Sequence, residues 1–500
     1  MNYELTKDFI NAHLNDDVNK LALSKFPDDI DKQFVIRQIQ ARQLLKKKLP
    51  SWSENDELLF PKRLSLEQCS SELTAKYKSA KYKSAKYKST KLRENTRKDI
   101  GENSCELEGE LSAKLRENTR KEVSESSCEL EGEMSAKVRE NTRKDISESS
   151  CNFVDRRILV DLTGGMGVDT SFLSDNFDET IYVESQAELC ELAEHNFKVL
   201  KKNIKVVNAK AEDFLTQCGE VDCIYLDPAR RDEYGRKMVS LHDCSPDVAE
   251  LQDLLFEKTN TVIVKLSPML DIDIIKKELK NIEEIHVVAV KNECKEVLVK
   301  STRQRDNETM SRDASMIPAI KRIDTSDENE AIRRLYISAI DLKENWKFSF
   351  TEDDEQNAIP TFADEIGKYL YEPSVACMKA APFKLLSQRF NIKKLHRNSH
   401  LYTSDELVAD FPGRIFEVIA AVPFDKKAKK TILEMQRYKD SETQSDEHST
   451  TLKASIAVRN FPLSAEALRK HLGFKDGDDF YIFGTTMKGE KKMLVLGSKC

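Results

Sequence analysis

The run Ile158-Leu-Val-Asp-Leu-Thr-Gly-Gly-Met-Gly-Val-Asp169 takes a short apolar segment to an acid, Asp161, and then to three glycines within four residues, Gly164, Gly165 and Gly167. The whole chain has only 15 glycines in 500 residues, so the cluster marks a place where the backbone does something unusual. The order of apolar run, acid and glycines predicts a strand, a tight loop and the start of a helix. Glycines allow close approach of backbone to a ligand, and an acid at a strand tip accepts hydrogen bonds from a ligand's polar groups.

Working outward, strand and helix patterns alternate from Arg157 to about Lys300. Strands are predicted at Ile158–Leu162, Thr180–Glu184, Lys205–Asn208, Val221–Asp227, Thr261–Lys265, Ile285–Val290 and Glu296–Val299, with helices opening at Asp169, over Glu188–Lys201 and over Val248–Phe256. Such alternation predicts an α/β fold with a parallel, doubly wound sheet of Rossmann-like type, in which ligands bind at the carboxyl ends of the strands.

That geometry gives the acids their meaning. A dinucleotide fingerprint wants Gly-x-Gly-x-x-Gly, but Gly165-x-Gly167 is followed by Thr170 where the third glycine belongs, which counts against a nicotinamide enzyme. An acid just before the glycines suits a cationic sulfonium nucleoside without phosphate, S-adenosyl-L-methionine. Asp161, Thr163, Gly164, Gly165, Gly167 and Asp169 would line it; Glu184, with Ser185 beside it, ends the second strand 23 residues past Asp161 and can take both ribose hydroxyls. Ala211-Glu212-Asp213 follows the third strand and can read the adenine edge.

The fourth strand ends in Asp227-Pro228-Ala229-Arg230-Arg231. An acid fixed by proline can accept from an exocyclic amine and orient it toward a methyl donor, so Asp227, Pro228 and Arg230 form the candidate catalytic set, with Asp227 also beside the donor. Arg231, Lys265 and Ser267 are candidate substrate contacts on the same rim; a phosphate would suit the arginine pair.

Composition bounds the rest. Charged residues make up 33% and hydrophobic ones 39%, and eleven scattered cysteines without a CxxC pair suit reduced thiols, not a disulfide frame or a metal site. No apolar run reaches the roughly 20 residues that span a bilayer, which predicts a cytoplasmic protein with no membrane partner. The net charge of -7 hides a basic end: Lys and Arg outnumber Asp and Glu 12 to 6 over Pro373–Arg437 and 9 to 5 over Thr450–Cys500. A basic end on an acidic protein is what a nucleic-acid surface looks like.

Residues 1–78 read as an N-terminal helical domain, with Ser71 capping a helix through Thr74 and Tyr77. Residues 79–151 read as a repeat-bearing flexible linker. Ala-Lys-Tyr-Lys-Ser recurs at Ala75, Ala80 and Ala85, and a 23-residue unit opens at Lys91, Lys114 and Lys137. With few apolar residues per unit, this array has no face to bury. The α/β core spans 152–300, a polar insertion 301–330, a small α+β unit 331–440 with a helix over Ser374–Phe390, and a final βαβ-like unit 450–500.

The chain resembles bacterial class I S-adenosylmethionine-dependent methyltransferases that end in a ferredoxin-like and then a THUMP-like domain. The resemblance rests on Asp161–Asp169 and Asp227–Arg231 in the core; on Tyr369–Pro373, Lys394–Thr403 and Phe411–Phe416 for the ferredoxin-like part; and on Val458–Ser464 with Gly473–Phe483 for the THUMP-like part. The segment Ser70–Tyr77 is similar to the helix that packs over the donor in trimethylguanosine synthase-like enzymes. The resemblance implies the donor in the Asp161 loop, Glu184 on its ribose, Asp227 at the reaction centre, and a structured RNA, tRNA or rRNA, as substrate. Amino-methylating relatives carry a second proline and an aromatic after the acid; here Ala229 and Arg230 stand there, which leaves the base-stacking partner unassigned. That departure motivates a rival expectation: an RNA-binding or assembly module on an inactive methyltransferase fold.

Overall fold

The hydrophobic stripes and caps read above become short, well-terminated elements in the computed structural model, which describes residues 3–83, 156–230, 240–303, 334–434, 453–477 and 480–500. The 23-residue repeats, most of the 301–330 insertion and Arg231 lie outside those residues. The chain divides into two units, 1–224 and 225–500.

In the first unit, among the described residues, six helices precede the sheet: α1 (Tyr3–Ala12), α2 (Val18–Leu23), α3 (Lys32–Leu45), α4 (Pro50–Ser53), α5 (Arg63–Gln68) and α6 (Glu72–Lys83). Asp17 and Asp31 cap α2 and α3 by accepting from backbone amides of the first turn, and Pro50 opens α4, where no amide is needed. The Ser71 hydroxyl accepts from the Thr74 amide, as its position predicts, but α6 continues to Lys83, into the second pentad. Arg42 is buried and donates to the carbonyls of Asp56 and Leu58. A buried cation stays soluble in a core only with such partners.

The sheet part of this unit runs β1 (Ile158–Asp161), α7 (Val168–Leu173), β2 (Glu179–Glu184), α8 (Ala187–Val199), β3 (Ile204–Asn208), α9 (Ala211–Gln217) and β4 (Cys223–Leu226). Strand order is β4-β1-β2-β3, with β1 parallel to β2 and β2 to β3.

Strand β4 is divided between the units. The second continues with β5 (Ala229–Arg230), β6 (Cys244–Ser245), α10 (Val248–Lys258), β7 (Thr261–Leu266), α11 (Ile272–Glu278), β8 (Ile282–Val290), β9 (Glu293–Thr302), β10 (Tyr336–Asp341) and β11 (Trp346–Thr351). Here the order is β11-β10-β8-β9-β7-β4. The doubly wound expectation is met, but the sheet is mixed, because β9 is antiparallel to both β7 and β8. The cause is a two-residue hairpin turn: Lys291 and Asn292 have φ of 53° and 56°, and Asp341 accepts from both amides. Sequence reading groups β10 and β11 with the C-terminal α+β unit, whereas β10 pairs in parallel with β8 and extends the core sheet.

The remainder includes α12 (Glu352–Asn357), β12 (Tyr369–Pro373), α13 (Val375–Ala380), α14 (Phe383–Arg389), β13 (Lys393–Lys394), β14 (Tyr402–Ser404), β15 (Gly413–Pro423), β16 (Ser455–Arg459), α15 (Ala465–Leu472), β17 (Tyr481–Thr486) and β18 (Lys492–Lys499). One seven-stranded sheet, β13-β14-β12-β15-β18-β17-β16, runs through all of it, since β15 pairs with β12 on one side and β18 on the other. Strands β16 and β17 are parallel, as a βαβ unit requires. The single helix expected over Ser374–Phe390 is two. Ala381 turns left-handed at φ 62° and Pro382 follows, which has no amide to continue the first helix. Among the described residues no helix is long and apolar enough to cross a membrane.

Candidate active site

Strand β1 delivers Asp161 to the loop, where the side chain is 1% exposed. Its two oxygens accept from the Thr163 amide at 3.0 Å and the Thr170 hydroxyl at 2.6 Å, so the acid ties the loop's start to α7. The loop lies on aromatic rings. A Cβ at Gly164 would stand 2.1 Å from the Tyr182 ring, and one at Gly167, where φ is 80°, 2.8 Å from Phe197. The Tyr182 hydroxyl donates to the Gly165 carbonyl at 2.6 Å. Burial, reinforced by the charges of Glu184, Cys190 and Asp161, raises its pKa far above the ordinary phenol value and keeps it a neutral donor.

Glu184, at the end of β2, accepts from the Gly165 amide at 3.0 Å, the Gln186 amide at 2.9 Å and the Ser185 hydroxyl at 3.1 Å. Two more loop amides are engaged: Gly164 donates to the Val183 carbonyl and Gly167 to that of Gly164. The amides that would cradle a phosphate in a dinucleotide site are thus turned onto the protein's own carboxylates and carbonyls. Acids, not donors, characterise this loop.

Asp169 lies in the first turn of α7 and is 8% exposed. It is 3.1 Å from the ammonium of Lys78 and accepts from the Ser70 hydroxyl at 2.8 Å. Ala211 is buried at the start of α9, and Glu212 and Asp213 are exposed in its first turn.

In the second unit, Asp227 follows β4 directly and forms an ion pair with Lys265, a buried side chain at the end of β7. The structure therefore brings two of the sequence candidates together and gives Lys265 a partner within the protein. Pro228 leads into β5, which places Arg230 opposite Cys244 of β6. The Ser267 hydroxyl accepts from the Met269 amide at 3.3 Å. Sequence reading gave no role to Tyr182, Phe197 or Lys78, and named Thr170 only as the position that breaks the dinucleotide fingerprint. The first two carry no mark beyond the apolar pattern of their elements, and Lys78 looks like any lysine of the pentads.

Two family descriptions match the C-terminal end: a ferredoxin-like domain over residues 369–412 and a THUMP-like domain over 413–499. Among solved structures, a "putative methyltransferase" from Porphyromonas gingivalis W83 is 27% identical, covers 99% of this chain and 98% of its own, and has a TM-score of 0.68. A methyltransferase of the same provisional description from Escherichia coli is 19% identical over 34% of this chain and 86% of its own, with a TM-score of 0.22. An rRNA methylase from Streptococcus thermophilus is 15% identical over 30% and 89%, with a TM-score of 0.23. No curated protein matches the sequence. The full-length likeness to the Porphyromonas gingivalis structure agrees with the α/β sheet described above, and the two domain matches fall on the C-terminal seven-stranded sheet.

Proposed function

We propose that this chain, a class I methyltransferase fold ending in ferredoxin-like and THUMP-like domains, transfers a methyl group from S-adenosyl-L-methionine to a nucleobase of a structured RNA, tRNA or rRNA. The observation that carries the donor is the loop's polarity: Asp161 and Glu184 are 1% and 9% exposed and hold the loop's amides, which suits a cationic nucleoside and not a phosphate. When bound, the donor supplies an electrophilic methyl on its sulfonium. Asp161 shapes the loop and contributes negative charge, Glu184 receives the ribose hydroxyls, and Ala211 to Asp213 flank the adenine.

On the acceptor side, Asp227 receives a hydrogen bond from an exocyclic amine and aligns its lone pair. The Lys265 ion pair fixes the carboxylate's orientation. Proximity does most of the work, since a pre-oriented amine needs no strong base. Arg230 and Arg231, following Pro228, and Ser267 are assigned to the RNA. The THUMP-like match and the basic C-terminal end support RNA as the acceptor class.

Titration calorimetry with S-adenosyl-L-methionine tests the donor: binding is expected in the wild type and weakened by Asp161→Ala and by Glu184→Gln. No binding, or binding indifferent to both, ends the proposal. With labelled donor and RNA from cells lacking the protein, Asp227→Ala should keep donor binding and lose turnover on the order of a hundredfold. Donor binding without transfer to any RNA would favour the reading of an inactive fold that binds RNA.

A further inference from the structure

The N-terminal helices reach the glycine loop through two kinds of contact. Met166 and Val168, on either side of Gly167, are buried in one cluster with Trp52, Phe60, Leu66 and Ala75. Behind them, Lys78 of α6 is fully buried, with its ammonium 2.9 Å from the Ser70 hydroxyl and 3.1 Å from Asp169. Ser70 donates in turn to the other Asp169 oxygen at 2.8 Å. One carboxylate in the first turn of α7 is therefore held by two side chains that precede the sheet by about eighty residues of sequence.

An ion pair on the surface would matter little, but a carboxylate 8% exposed, left without its cation, is an uncompensated charge in a low-dielectric site. It would be relieved by swinging out, and the turn that carries it begins at Gly167, the last glycine of the loop. We propose that Lys78 is a positioning residue for the donor loop: through Asp169 it fixes the first turn of α7 and so the backbone from Asp161 to Gly167. The N-terminal helices are then part of the donor-binding machinery, and Asp169 serves it by tying the turn to Lys78 and not by touching the donor. This inference rests on the donor reading given above.

The test is S-adenosyl-L-methionine titration into the full-length wild type, Lys78→Met, Asp169→Asn and the double variant, with melting temperatures recorded for each. Lys78→Met is expected to raise Kd by about tenfold or more, and Asp169→Asn by less. The double variant should return to within about threefold of Asp169→Asn, because the unpaired charge is gone. Ser70→Ala, which removes one of the two donors and is small enough to fold, should weaken binding by about threefold and speed hydrogen exchange of amides 164–170. A purely architectural pair would lower the melting temperature and leave Kd of the folded protein unchanged; that result overturns the inference. So does a double variant whose loss is the product of the two single losses. If the wild type itself does not bind, the donor reading falls first and takes this one with it, a result distinct from normal binding with indifferent variants.

Discussion

At the scale of the residue, Gly164 shows why the sequence cluster is glycine. The Tyr182 ring occupies the space of its missing Cβ, and that ring is fully buried and anchored by its hydroxyl. Gly164→Ala should therefore destabilise the protein by on the order of 3 kcal/mol through overpacking, while Gly219→Ala, with open space around its Cβ, should be near neutral; chemical denaturation compares them. The glycine pattern was legible in sequence, but the part of its reason that lies beneath the loop was not: the Tyr182 and Phe197 rings leave no room for a side chain at Gly164 and Gly167. A second residue gives a pH prediction. His400 stacks on Phe383 at 3.7 Å, and burial, with Lys394 and Arg459 facing it, lowers its pKa to about 4. The unfolded imidazole titrates near ~6.5, so between those values the unfolded state holds more protons. Stability should be complete above about pH 6.5 and fall by about 2 kcal/mol as pH drops toward 4, allowing for partial exposure. In His400→Asn, which tolerates the residue's positive φ of 52°, that component should be missing from the difference between the two denaturation curves.

At the scale of the element, boundaries written in caps and breakers were readable, and those decided by pairing were not. Ser71, Pro50 and the glycine loop mark their helix ends in the sequence. The break after Ala380 is marked too, by Pro382, yet the apolar spacing of Ser374–Phe390 overrides it on paper. In the structure the proline prevails, because Ala381 must take φ 62° to turn the chain. Ala381→Gly should raise stability by about 1 kcal/mol, as a left-handed alanine carries a cost that glycine does not; thermal unfolding of the variant measures it, and a lowered melting temperature would contradict the strain. The Lys291-Asn292 turn is the opposite case: two residues with positive φ and no glycine give little signal, and the strand direction of β9 depended on them.

At the scale of the whole molecule, the basic C-terminal end predicts a measurable property. If residues 373–500 contact RNA phosphates, affinity for structured RNA should fall by orders of magnitude between ~50 and ~200 mM salt, read by fluorescence anisotropy; a flat response would exclude a charge-driven surface. What the sequence by itself determined is the succession of elements, the acid and glycine loop at the first strand tip, the acid and proline after the fourth, and the C-terminal domain types. These are local or periodic, so they are written in neighbouring residues. Only the tertiary structure decided that Asp227 meets Lys265, that Tyr182 and Phe197 floor the glycine loop, that Lys78 is buried against Asp169, and that one sheet joins the C-terminal strands. Each of those pairings crosses tens of residues. A lysine in a repeated pentad carries no sign of burial until the fold has removed it from water, and only then does its charge require the partner that the loop provides.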